Sequence, residues 1–134
     1  MNAAVRAFIR ERAGRRCEYC RLHEDDAQYQ VFHVEHVIAK QHGGSDDLDT
    51  LCFACPECNW AKGPNLSGLF DGRLYPLFNP RKQSWKRHFS WETTILVGKT
   101  ITGKVTIQVL NINEESRVNL RETLLLEGRF PPEE

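Results

Sequence analysis

The sequence lacks any long hydrophobic run. None of its uninterrupted apolar stretches approaches the roughly 20 residues that a helix needs to cross a bilayer. The N-terminal stretch MNAAVRAFIRERAGRRC also lacks the separate apolar core and the cleavage site of a secretory signal. These two absences predict a cytoplasmic protein without a membrane partner.

The sequence also lacks an excess of charge of either sign, because its 18 basic and 18 acidic residues cancel. A neutral chain does not by itself indicate a nucleic-acid partner. The basic residues are nevertheless clustered: five arginines fall within residues 6–16, and a second group spans residues 81–87. Charge runs usually form solvated faces, so each cluster is only a candidate phosphate contact.

The first half of the sequence predicts alternating short elements. Residues 2–13 carry apolar side chains at helical spacing, with Asn2 as a cap and Gly14 as a stop. Residues 29–37 are rich in β-branched and aromatic types and predict a strand. A loop is expected over residues 39–47 and a second strand over residues 48–54. A helix should follow, beginning with Pro56 and ending near Gly63.

The second half predicts less regular structure at first. A proline or glycine falls at about every fourth position of residues 64–80, which argues against long elements. Residues 84–96 favour a strand or one arm of a hairpin. Residues 100–110 fit either a strand or a short helix. Residues 113–127 predict a helix that ends at Gly128, with an apolar stripe of Val118, Leu120, Leu124 and Leu125.

Four of the five cysteines form two CxxC pairs: Cys17 with Cys20, and Cys55 with Cys58. Without a secretory signal, such pairs favour a metal site over disulfides. Four thiolates make a closed tetrahedral zinc site with no position for water, so this zinc should be structural. Four reduced cysteines without metal, or a redox protein that uses its CxxC thiols, are the alternatives. Cys52 is expected to be a small buried residue.

The region from Cys17 to about Gly63 resembles the HNH family of endonucleases. It has a first CxxC, an acidic residue followed by histidine, a Gly-Gly loop, and a second CxxC followed directly by Asn and then by Lys-Gly. The resemblance implies an α+β fold: a ββα-metal core held by a four-cysteine zinc site, with an N-terminal helix and a C-terminal α/β extension. We expect one domain over residues 1–134, with the core at about 15–65 and the extension at about 66–134.

The family's functional positions map onto four residues between and behind the cysteine pairs. Glu35 matches the acidic metal ligand and His36 the general base. Thr50 stands where the family normally has its middle asparagine, and Asn59 matches the last letter of the motif, which binds the metal from the helix. A threonine hydroxyl makes fewer hydrogen bonds than an amide, so activity is reduced or another residue braces the loop.

These residue types suit hydrolysis of a DNA backbone. The reaction needs a water nucleophile, a base to take its proton, and a cation to hold charge on the phosphate and leaving oxygen. Histidine titrates near operating pH and suits the base. Glu35 and Asn59 offer hard oxygen donors, which favour Mg²⁺ or Mn²⁺. Neighbouring strand residues point to opposite faces, so Glu35 and His36 can share a site only if the strand ends or bends there.

Further residues are candidates for DNA contact. Lys40, Lys62, Arg81 and Lys82 could bind phosphates in a local positive groove. His33 shares strand parity with Glu35 and is the best additional candidate for a metal or phosphate contact. The aromatic residues Trp60, Trp85, Phe89 and Trp91 are expected in the core.

The competing hypothesis is a non-catalytic zinc module that binds nucleic acid or protein, with Thr50 as a sign of lost catalysis. The recognition sequence, the oligomeric state and the pathway stay open at this point.

Overall fold

The computed structural model describes residues 1–27 and 30–132, which contain five α-helices, six strands and three short 3₁₀ helices. The α-helices and strands are numbered separately along the chain. In chain order they are α1 (Ala3–Arg12), β1 (His33–His36), β2 (Leu51–Ala54), α2 (Pro56–Lys62), β3 (Ser67–Phe70), β4 (Arg73–Pro76), α3 (Trp85–His88), β5 (Phe89–Glu92), β6 (Ile95–Gly98), α4 (Ile101–Val109) and α5 (Glu115–Leu126). The mixture of helices with small sheets agrees with the expected α+β class.

The first helix forms where the sequence predicts it. The side chain of Asn2 caps α1 by accepting a hydrogen bond from the backbone N–H of Val5 at 2.9 Å. The chain leaves the helix through Gly14, whose φ is +65°. Ile9 is the buried residue of this helix, and Phe8 stays half exposed. The helix therefore delivers the chain to the first cysteine pair with a narrower apolar face than predicted.

A two-stranded antiparallel sheet and one helix form the core of the HNH-like segment. β1 pairs with β2 from His33 opposite Ala54 to His36 opposite Leu51. The predicted strand over residues 29–37 is shorter in the structure, and Tyr29 lies outside the described residues. Residues 48–50 form a 3₁₀ turn instead of strand. The helix α2 begins with Pro56 and is followed by Gly63, as predicted.

The segment over residues 64–80 contains a hairpin that the sequence analysis did not predict. β3 and β4 are joined by Asp71 and Gly72, which have φ of +54° and +77°. An Asp-Gly pair between two strands is a strong hairpin signal, because both positions need a positive φ. The frequent prolines and glycines of this segment hid that short-range signal.

The rest of the extension resolves the two open predictions. Residues 84–96 begin with the short helix α3 and continue into the β5–β6 hairpin. Residues 101–109 are the helix α4, which Thr100 caps by accepting a hydrogen bond from Gly103 N at 3.0 Å. A Cβ atom at Gly103 would collide with the carbonyl oxygen of His88, so glycine permits this close packing.

One cluster of buried side chains includes residues from the N-terminal segment and from the extension. Tyr19 and Leu51 belong to it together with Phe78 and Phe89. Trp85 Nε1 donates a hydrogen bond to the backbone oxygen of Tyr19 at 2.8 Å. The extension is thus packed against the HNH-like segment. Within the described residues, no helix has the length and apolar character required to cross a membrane.

Candidate functional site

The four paired cysteines converge in the interior. The sulfur atoms of Cys17, Cys20, Cys55 and Cys58 all lie within 4.8 Å of one another, and all four residues are buried. The sulfurs of Cys20 and Cys55 are 3.7 Å apart. Ligands about 2.3 Å from a tetrahedral zinc ion are about 3.8 Å apart, whereas a disulfide needs about 2.05 Å. The cluster therefore has the spacing of a metal site and can hold an ion such as zinc.

Each cysteine pair is stabilised by its own backbone. The N–H of Cys20 approaches Cys17 Sγ at 3.5 Å, and the N–H of Cys58 approaches Cys55 Sγ at 3.4 Å. Cys55 is also the N-terminal cap of α2. The cysteine cluster consequently determines where α2 begins, and with it the position of Asn59 one turn along the helix.

His36 makes a close contact that the sequence analysis did not predict. Its Nε2 lies 2.7 Å from Asp46 Oδ1, and the second carboxylate oxygen of Asp46 accepts from Lys40 Nζ at 3.2 Å. The His36 side chain is 25% exposed. Its Nδ1 makes no hydrogen bond within the described residues. Hydrogen bonds from His36 and Lys40 lower the pKa of Asp46 below its ordinary value.

The loop that carries Asp46 is closely constrained. Gly43 has φ of +93°, and a Cβ atom at Gly44 would overlap the carbonyl oxygen of Ile38. The hydroxyl of Thr50 lies 2.9 Å from Ser45 O and 2.7 Å from Asp47 O, the backbone oxygens on either side of Asp46. Thr50 thus bonds across the loop that brings Asp46 to His36, although it is not the family's usual asparagine.

Glu35 points into the protein and is paired with Lys62. Glu35 Oε1 lies 3.2 Å from Lys62 Nζ, and the two side chains are 5% and 2% exposed. Lys62 also donates to Val37 O at 3.0 Å. Burial raises the pKa of Glu35 above its ordinary value, while the Lys62 ammonium opposes that rise. Lys62 is therefore an interior residue, and the structure does not place it on the surface expected for a phosphate contact.

Glu35 and His36 do not share a site in this conformation. β1 ends at His36, as required, but His36 still pairs with Leu51 in register. Neighbouring side chains therefore alternate, with one contacting buried Lys62 and the other exposed Asp46. Asn59 is half-buried, and its side chain makes no hydrogen bond with any described residue. Among the described His, Cys, Asp and Glu side chains, only the four cysteines lie close enough together to hold a metal ion as a group of three or more.

The remaining candidate residues occupy different environments. Arg81 forms an ion pair with Glu18, and its side chain is only 13% exposed. Its positive charge is therefore compensated by Glu18. Lys40 bonds Asp46, while Lys82 and His33 are exposed. For these residues the predicted contacts with nucleic acid or metal stay predictions.

Three of the four aromatic residues predicted to lie in the core are found there. Trp85 and Phe89 are buried, and Trp91 packs against the core, as expected. Trp60 is 89% exposed, so its predicted burial is wrong. It follows Asn59 on a two-turn helix whose inner face is already occupied by Cys58 and Lys62, which leaves position 60 facing solvent.

Two residues at these sites were missed by sequence reasoning. Asp46 had no assigned role in the predicted loop, although its place just after a Gly-Gly turn was an available signal. Arg117 was assigned to a helix without a role, yet it is buried and donates to Cys58 Sγ. No local signal could have found it, because the two residues are 59 positions apart.

Comparisons with known proteins agree with the resemblance over the core. Residues 17–65 match the family model described as HNH endonuclease. The chain is also similar to the Septu protein PtuB of Bacillus thuringiensis, with 26% identity over 116 residues. That alignment covers 85% of this chain and 43% of the relative, so the chain spans less than half of the relative's length. No solved structure matches the chain. The matched segment indicates a nuclease-type or nucleic-acid-related function.

Proposed function

We propose that the chain is an HNH-type endonuclease that hydrolyses phosphodiester bonds in DNA, with His36 as the general base. The observation that carries this proposal is the 2.7 Å contact between His36 Nε2 and Asp46 Oδ1 inside the matched segment. A partly exposed imidazole whose other nitrogen has no hydrogen bond among residues 1–27 and 30–132 has the arrangement that a base needs. The carboxylate orients the ring and stabilises the positive charge that forms when the ring takes a proton.

The chemistry of the base follows from this pairing. Because Asp46 engages Nε2, Nδ1 of His36 is the nitrogen that receives the proton of a water molecule. The resulting hydroxide forms a bond to phosphorus, and the bond to the leaving sugar oxygen breaks. Thr50 contributes indirectly, since its hydroxyl bonds the loop on both sides of Asp46.

A divalent ion, Mg²⁺ or Mn²⁺, belongs to the proposal and would hold negative charge on the phosphate and the leaving oxygen. Asn59 fits as a ligand, because its half-buried amide has no partner among the described residues. Glu35 fits only if Lys62 releases its carboxylate. The buried cysteine cluster is proposed to hold a structural zinc ion. Lys40 and Lys82 are the proposed phosphate contacts.

A non-catalytic module that binds nucleic acid or protein is the second candidate. The Glu35–Lys62 pair favours it, because the pair neutralises the acidic residue that the family uses as a metal ligand. Such a module would keep the cysteine centre and lose cleavage.

Plasmid nicking in Mg²⁺ or Mn²⁺ separates the two candidates. His36→Ala should lower the cleavage rate by about 10²–10⁴-fold, which is the usual contribution of a general base. His42→Ala is the matched control, since His42 is an exposed histidine of the same loop without a contact to Asp46. The non-catalytic module would be supported if the parent protein binds DNA and the His36→Ala substitution removes no cleavage.

The role of Asp46 has a separate test in the same assay. Asp46→Asn should lower kcat and leave KM near its original value, because the carboxylate acts on the base and not on DNA binding. Asp47→Asn, one position along the same exposed loop, should leave both constants unchanged. An equal loss in the two variants would show that general loop charge matters instead.

A further inference from the structure

Arg117, on the C-terminal helix α5, contacts the second cysteine pair. Its Nη2 lies 3.0 Å from Cys58 Sγ and 3.9 Å from Cys55 Sγ. Its Nη1 donates to Leu110 O at 2.7 Å and to Asn111 O at 3.2 Å. The residue is buried. One side of the guanidinium is therefore held by backbone oxygens while the other faces the sulfurs.

The charge of the cysteine centre explains why a cation belongs there. Four thiolates around one divalent ion leave two negative charges uncompensated in the protein interior. Buried charge is costly unless it is paired and hydrogen-bonded. Arg117 supplies both a positive charge and an N–H donor directed at a ligand sulfur. An arginine suits this position, because the two terminal nitrogens of its planar guanidinium can bond the carbonyl oxygens and the sulfur at the same time.

We propose that Arg117 is a working part of the four-cysteine metal centre. By bonding Cys58 and offsetting the thiolate charge, it sets how tightly the ion is held. The C-terminal extension thereby controls the stability of a centre whose ligands all lie in the first 58 residues. Residues that bond to metal ligands from outside typically change metal affinity by about 10–100-fold when removed.

Arg121 provides a matched comparison one helical turn away. It is also buried on α5, and its guanidinium also bonds acceptors that lie outside the helix. Its hydrogen-bond acceptors are all oxygens: Thr94 O at 2.7 Å, Ile112 O at 2.9 Å and Asn113 Oδ1 at 3.1 Å. Its guanidinium also lies 5.3 Å from the centre of the Trp91 ring. Removing Arg121 takes away a buried charge and helix packing but no direct bond to sulfur.

The side of the centre next to Arg117 borders a cavity of about 410 Å³. Cys20, Glu57 and Arg117 line this cavity together with Leu124 of α5. A chelator could approach the ligand sulfurs from this side. Loss of the Arg117 contact should therefore speed ion release as well as weaken equilibrium binding.

The test is zinc competition on the zinc-loaded chain of 134 residues with the chromophoric chelator 4-(2-pyridylazo)resorcinol. Arg117→Met should raise the zinc dissociation constant by about 10–100-fold and accelerate release. Arg117→Lys keeps the positive charge but lacks the second terminal nitrogen, so its zinc affinity should lie between those of the parent protein and Arg117→Met. Arg121→Met should stay close to the parent protein. Circular dichroism in saturating zinc verifies that each variant is folded.

Two results would overturn the proposal. One is an Arg117→Met protein that holds zinc as tightly and releases it as slowly as the parent. The other is an Arg121→Met protein that weakens as much, which would mean that general packing of α5 is responsible. Should Arg117→Met fail to fold, Arg117→Lys and Arg121→Lys are compared by the same criterion. The measurement does not involve DNA cleavage, so it is independent of the proposed nuclease activity.

Discussion

The matched segment contains two polar centres in opposite surroundings. The cysteine centre is buried, and its sulfurs contact one another, backbone N–H groups and Arg117. The His36–Asp46 pair lies at the surface, with Asp46 65% exposed and one ring nitrogen of His36 without a hydrogen bond to any described residue. A centre with no open ligand position can only hold structure, whereas a centre with an open nitrogen can react. If the proposed function holds, this small segment uses different residues for structural stability and for catalysis.

The largest expected effect is the loss of folding stability when the buried cysteine centre is disrupted. Cys55→Ser, or chelation of the ion, should abolish the cooperative thermal transition. Structural zinc binding is worth about 10–16 kcal/mol in small zinc modules, as much as the whole stability of a typical domain. Differential scanning calorimetry and mass spectrometry of zinc content are the measurements.

Cys52→Ala is the control for that experiment, because Cys52 is equally buried but lies outside the metal-binding group. It should keep one zinc ion per chain. A fold that survives chelation unchanged would instead favour the redox hypothesis for the CxxC thiols.

Two lysine substitutions compare the contribution of a buried ion pair to stability with that of an exposed one. Lys62→Met leaves the carboxylate of Glu35 buried without its partner and should cost about 3–5 kcal/mol of unfolding free energy. Lys40→Met breaks an exposed pair with Asp46 and should barely change stability. Urea denaturation of both variants gives the two values.

The Lys62 variant also tests the proposed binding of a divalent ion by Glu35. If Glu35 can serve as a ligand once it is released, Lys62→Met should bind Mn²⁺ more tightly, as measured by electron paramagnetic resonance. Unchanged Mn²⁺ binding would confine Glu35 to its ion pair. A double variant, Glu35→Gln with Lys62→Met, should recover part of the lost stability, because it leaves no uncompensated charge.

The smallest expected effect is a difference in titration. The pKa of Asp46 is lowered by its hydrogen bonds, so its stabilising contribution is present above the ordinary aspartate value and is lost as pH falls through the lowered pKa. The pKa of Glu35 is raised by burial, so its protonated form is favoured in the fold, and that contribution is lost as pH rises through the raised pKa.

The two carboxyls should therefore take up protons further apart than the roughly 0.4 pH unit that separates free Glu from Asp. Carbon-13 NMR of the side-chain carboxyls, recorded without Mg²⁺ or Mn²⁺, measures both directly. An Asp46 that titrates at or above Glu35 would contradict the environments described for them.

The sequence was a good guide wherever function depends on local spacing. The two CxxC turns and the helix α2 follow from contacts a few residues apart, and all are present in the structure. Long-range contacts were not accessible. The pairing of Glu35 with Lys62 depends on how α2 packs on β1, and periodicity cannot reveal the packing partner. The same reason hid the contact from Arg117 to Cys58, which forms only after the extension folds back.

Some errors came from competing local signals. The proline and glycine spacing of residues 64–80 suggested irregular chain, but the Asp-Gly turn at residues 71–72 determined a hairpin. Thr50 was judged as a strand residue and lies in a 3₁₀ turn instead, where its hydroxyl reaches two backbone oxygens. Because residues 48–50 were predicted as strand, the contacts of the Thr50 hydroxyl across the loop could not be anticipated.

The exposed indole of Trp60 gives the molecule an optical reporter. Trp85 is buried and Trp91 packs against the core, so their fluorescence should be emitted at shorter wavelength than that of Trp60 in water. Emission recorded on the long-wavelength side of the band would therefore favour Trp60. Because this residue directly follows Asn59, a proposed ligand of the divalent ion, quenching of its emission would report a nucleotide strand arriving at the proposed site in real time, without any attached dye.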